Sequence, residues 1–94
     1  MGTKPRPKPE RLAEKLRLIR DALGLSQTEM LKRLGVENSI AYHRISEYET
    51  GKREPPLLVL LEYARVANIY VDALINDRVS LPAKLPSRKK SEGV

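Results

Sequence analysis

Cysteine, phenylalanine and tryptophan are all absent from this 94-residue chain, and its only aromatic residues are four tyrosines. Without cysteine there are no disulfides, thiolate metal sites or thiol catalysis. Without the large aromatics, the core falls to Leu, Ile, Val and Ala, which suits small helical folds better than β-sandwiches. His43 is the single histidine, and one imidazole cannot build a metal site without several partners. No apolar run approaches bilayer-spanning length and no signal-peptide pattern opens the chain, so a soluble, cytoplasmic protein with no membrane partner is expected. There is no Gly-rich phosphate cradle, no nucleophile–base pairing and no metal cluster. Enzymatic function, a cofactor and a small-molecule ligand are therefore not expected, and His43 with Glu47 at i+4 is more simply a surface pair. A domain this small has a thin margin of stability, to which a homodimer partner would add burial.

The net charge of +6 is unevenly placed. Lys4, Arg6 and Lys8 give the first eight residues +3, and residues 78–94 carry five basic residues against Glu92. The stretch between holds ten basic and eleven acidic residues, so the whole excess sits at the two ends. Basic ends attract a phosphate backbone in a salt-dependent way, but they serve equally as solubilising extensions. Composition alone supports nucleic acid only weakly.

Along the chain, Pro5, Pro7 and Pro9 make residues 1–9 an extended basic arm. From Glu10 the period becomes helical, with Leu12, Leu16, Ile19 and Leu23 forming an apolar stripe. Charged Arg11, Glu14, Lys15, Arg17 and Asp21 fill the other positions, and Gly24 ends the helix. The second helix opens on Ser26 as N-cap with Glu29 three residues on, and Leu25 faces Met30 across the cap. It runs from Gln27 to Leu34, turns Met30, Leu31 and Leu34 inward, and stops at Gly35.

A third helix ends at Gly51, and Asn38 or Ser39 is its expected cap. With Ile45 facing the core at 100° per residue, Ala41 and Tyr48 share its side. Ile40, His43, Glu47 and Thr50 fall opposite, with Ser39 and Ser46 on one shoulder and Arg44 on the other. A merely solvated face would be filled with Lys and Glu; this one offers His, Ser, Thr and Ile. The fourth helix, Leu57 to Ala67, is nearly apolar all round, relieved by Glu62, Tyr63 and Arg65. That makes it a core strut, or gives it a second face for a homodimer. Asn68 turns the chain into a short last helix, Val71 to Ile75. Pro82 and Pro86 then predict an extended basic tail over residues 78–94, which leaves residues 10–77 as the folded domain.

Leu23-Gly24-Leu25-Ser26-Gln27-Thr28-Glu29, Leu34-Gly35, Ile45-Ser46-Glu47-Tyr48-Glu49 and Gly51-Lys52-Arg53-Glu54-Pro55 occur in this order. Together with the closing Leu61 to Ile75, they make the stretch from Leu12 to Ile75 resemble the Xre family of phage-repressor and Cro-like helix-turn-helix domains. The resemblance implies an all-α, five-helix, lambda-repressor-like DNA-binding domain, its third helix in the major groove and its second crossing the backbone. Carried onto this chain, it implies double-stranded DNA as partner and regulation of transcription, as a repressor of bacterial or phage type. Tyr42, His43, Ser46 and Glu47 match positions that face base edges; Gln27, Arg44, Thr50, Lys52 and Arg53 match positions near phosphates. Glu49 matches a structural position. An alternative is an antitoxin-like or adaptor module that binds protein through the fourth helix and the tails.

Two departures from the family pattern stand out. Nine residues, Val36 to Arg44, lie where the family has about five, an excess near one helical turn. An N-terminal extension of helix three is the favoured outcome, lengthening it by about 5 Å and bringing Ser39 and Ile40 to the bases. Pro56 and Tyr70 also stand where the family has Ser or Thr caps.

Overall fold

The computed structural model describes residues 7–86; Lys4, Arg6 and Pro5 of the arm and Arg88, Lys89 and Lys90 of the tail lie outside them. Five helices follow one another among the described residues: α1 Leu12–Leu23, α2 Gln27–Leu34, α3 His43–Thr50, α4 Leu57–Ala67 and α5 Val71–Ile75. Among the described residues there is no strand, and no helix is long and apolar enough to cross a membrane. The fold is all-α, as the periodicity and the family resemblance imply.

Helix α1 packs most extensively along α3, while α4 lies against α2, α5 and α1. The stripe residues Leu12, Leu16 and Ile19 meet Met30, Leu34, Ile45, Tyr48, Tyr63 and Leu74 in a single core. Tyr63, one of the three residues expected to relieve the apolar surface of α4, is fully buried, and its hydroxyl has no hydrogen-bond partner among the described residues. Burial raises the pKa of that hydroxyl.

Local signals account for the start of α2. Ser26 Oγ accepts the Glu29 N–H at 3.0 Å and Glu29 Oε1 accepts the Ser26 N–H at 2.8 Å, closing the capping box. Helices α4 and α5 begin on Pro56 and Tyr70 with no side-chain cap, as their residue types require.

The expected extension of helix three is overturned. Helix α3 begins at His43, and the four extra residues form a loop in which Ser39 N–H and Ile40 N–H both donate to the Val36 carbonyl at 2.9 Å. Ile40 packs against the core and Ala41 is exposed, the reverse of the helical phase. The physical reason is which side chain gets buried. A continued helix would bury the Ala41 methyl and expose Ile40, whereas the loop partly buries the larger side chain, a difference of about 1 kcal/mol.

A second correction concerns α1. Lys15, placed among the charged outer positions, is fully buried. Its ammonium donates to the carbonyls of Ala73 at 2.8 Å, Asn76 at 2.9 Å and Val79 at 2.6 Å. It thereby ties α1 to the end of α5.

The N-terminus of α1 has no cap of its own from Arg11. Asp77 supplies one from across the chain, accepting the Glu10 N–H at 2.9 Å and the Arg11 N–H at 3.0 Å. Arg11 returns bonds to the Asp77 carbonyl and Ser80 Oγ, and Leu81 and Leu85 beyond them pack on the core. The amide bonds hold the Asp77 carboxyl below its ordinary 3.8. A depressed folded-state pKa contributes stability above the unfolded value, and that contribution is lost as pH falls through the folded one. Asp77→Ala is therefore expected to lower the urea midpoint near neutrality. The gap from wild type should close as pH drops below 3.8. A gap that persists unchanged into acid would show that the carboxylate charge is not what caps α1.

Candidate nucleic-acid interface

The frame of the site is a largely buried ion pair. Arg20 of α1 donates from Nε to Glu49 Oε2 at 2.6 Å and from Nη2 to Glu49 Oε1 at 3.0 Å. Its Nη1 reaches the Leu25 carbonyl at 2.9 Å, just before α2. Gln27, the first residue of α2, donates its amide to the same Glu49 Oε1 at 3.3 Å. One carboxylate therefore fixes α1, the start of α2 and the end of α3 relative to one another. Glu49 belongs to this frame, in keeping with the structural position it matches. Arg20 was missed by the periodicity reading, although it lies four residues after Leu16 and so beside the buried stripe.

Ile45 and Tyr48 turn inward and are buried, which leaves the other side of α3 facing out. Tyr42 and His43 are exposed at the start of the helix, their rings meeting edge to face with centroids 6.0 Å apart. Ser46 is half-buried one turn on, and Ser39 is exposed in the preceding loop rather than on α3. The Thr50 hydroxyl donates back to the carbonyls of Ser46 at 3.0 Å and Glu47 at 3.3 Å, so it meets other groups chiefly as an acceptor.

The basic residues gather at the C-terminal end of α3. Gly51 adopts φ 80°, a conformation open to glycine at little cost, and reverses the chain. The amides of Lys52 and Arg53 then donate to the Glu47 carbonyl at 3.0 and 3.3 Å. Glu47 Oε1 accepts Arg44 Nη1 at 2.7 Å and Arg53 Nε at 3.0 Å. Arg44 first and Arg53 second hold its carboxyl below the usual carboxylate range. Lys52 is exposed and has no ion pair among the described residues. Lys8 and Pro9, the last part of the arm, line a groove with Ala13, Tyr48 and Arg53. These last residues of the arm therefore lie beside the basic turn.

Two helices joined by a loop, the second held by its inner face and presenting a polar outer one, define a helix-turn-helix DNA-binding protein. The sequence model of the family described as helix-turn-helix matches residues 16–74, more than half of the chain, and the chain belongs to that family, in its Xre/Cro-like form. A comparison with curated proteins gives no match. Membership makes this a double-stranded-DNA-binding regulator of transcription, from a family of regulatory domains rather than of enzymes.

Proposed function

We propose that the protein represses transcription in the cytoplasm by occupying a specific operator as a homodimer, with α3 in the major groove. The observation that carries this reading is the inward lock of Ile45 and Tyr48, which holds Tyr42, His43 and Ser46 out from a fixed scaffold. These three read base edges, with Ser39 reaching in from the loop. Gln27, Arg44, Thr50, Lys52 and Arg53 register the backbone, Gln27 through the amide hydrogen that Glu49 does not take. The basic residues of the arm, residues 1–9, and of the tail, residues 78–94, add salt-dependent attraction. Leu57 and Leu58, 82% and 74% exposed at the start of α4, supply the dimer contact. Such a dimer reads two half-sites about one DNA turn apart.

Selection of bound duplexes from a random library tests the reading, and one recovered palindromic motif is the expected result. His43→Ala and Ser46→Ala are each expected to relax preference at one or two base pairs. Arg53→Ala should weaken all sequences alike and lower the salt slope by about 1. Equal losses of discrimination from both classes would reject this division of labour.

A second reading, an adaptor or antitoxin-like module, is favoured by the same exposed leucines. Gel filtration alone and with duplex separates the two. Under the first reading a dimer forms and shifts further with DNA. Under the second, DNA binding is secondary and duplex shifts the chain little.

A further inference from the structure

We propose that Glu47 is a positioning residue, which sets two arginines for the DNA backbone instead of reading a base itself. The inference rests on α3 docking as described above. A single oxygen of Glu47 gathers guanidiniums from two different places: Arg44, three residues earlier on α3, and Arg53, six residues later in the turn. The Glu47 main-chain carbonyl meanwhile accepts from the amides of Lys52 and Arg53. One residue thus fixes both the backbone that carries the basic pair and the direction of one of its side chains.

Each guanidinium has five N–H donors in a rigid fork, and only one from each is given to Glu47. The side chains of Arg44 and Arg53 are 33% and 51% exposed, so both stay partly open to solvent while held by Glu47. A long basic side chain normally loses its rotamer freedom when it meets a phosphate. Here much of that freedom is already gone in the free protein. Two charge-assisted bonds also offset the carboxylate, which would otherwise repel the duplex.

Binding of Glu47→Gln should be measured on the best duplex from the random library and on a scrambled duplex of equal length. Affinity for both is expected to fall by roughly 3- to 10-fold, and a repeated selection should return the same motif. In an Arg44→Ala/Arg53→Ala background, where nothing offsets the carboxylate, the same substitution should cause no loss and should tighten binding to both duplexes slightly. A loss of equal size in that background, a motif changed at one base pair, or tighter binding of Glu47→Gln alone to every duplex would each overturn the proposal. A readout without DNA is ¹⁵N relaxation of the Arg53 Nε–H, which should be ordered in wild type and mobile in Glu47→Gln. Equal mobility in both would also overturn it. If wild type binds no duplex, the operator reading fails, while the relaxation comparison still decides the role of Glu47.

Discussion

Glu49→Ala is expected to destabilise the domain by about 3–5 kcal/mol, a large fraction of the 5–15 kcal/mol typical of a whole domain. The Glu49 side chain is 4% exposed and the Arg20 side chain 15%. Removing the carboxylate would leave a guanidinium largely shielded from water, with the Leu25 carbonyl as its one remaining acceptor among the described residues. An uncompensated charge is much costlier than a missing neutral bond. Glu49→Gln should fall between wild type and Glu49→Ala, because an amide oxygen still accepts but carries no charge. Arg20→Met combined with Glu49→Leu should cost less than either polar deletion alone, since apolar groups have no desolvation to offset. Urea denaturation followed by circular dichroism measures all three. A Glu49→Ala unfolding free energy within about 1 kcal/mol of wild type would mean that the pair does not hold the three helices together.

The same substitution reaches the DNA-facing side. Gln27 loses the acceptor that orients its amide, so where Glu49→Ala remains folded its affinity should fall for all sequences together. The recovered motif should not change, because His43 and Ser46 are aimed by Ile45 and Tyr48, which stay buried.

Helix α2 is legible in the sequence because each signal for it is local: Ser26 and Glu29 three residues apart, then Gly35. Helix α3's inward face is legible for a similar reason, since one phase places both Ile45 and Tyr48. The loop before it is not. There, local caps at Asn38 and Ser39 compete with the tertiary gain of burying Ile40, and only the folded core decides between them. Periodicity also assigns a charged residue to solvent by default, and it failed at Lys15, whose acceptors lie between 58 and 64 residues away. The ties of Glu47 to Arg44 and Arg53 were hidden in part. The first follows from i,i+3 spacing on a helix, while the second depends on the reversal at Gly51.

Lys15→Met is the other substitution with a large expected effect, a loss of about 3 kcal/mol. Methionine preserves most of the buried stem, so the change isolates the ammonium. That group is surrounded by three carbonyls, and only the charged form has three donors to match them. Two of the acceptors, Ala73 and Asn76, lie at the end of α5, where helical carbonyls have no partner within the helix. A positive charge there also interacts favourably with the negative end of the helix dipole. Helix α5 has five residues, too few to persist without tertiary support. Its docking therefore depends on Lys15 together with the buried Leu74. Amide exchange at Asn76 and Val79 should rise more than exchange within α2, marking local release of the last helix. Lys15→Arg should not restore the loss, because a planar guanidinium cannot replace a compact three-donor head in a closed site. DNA affinity at a temperature where the variant is folded should stay near wild type, since the frame of Arg20, Gln27 and Glu49 is untouched. Wild-type stability in Lys15→Met would show that water can satisfy these carbonyls as well as the ammonium does.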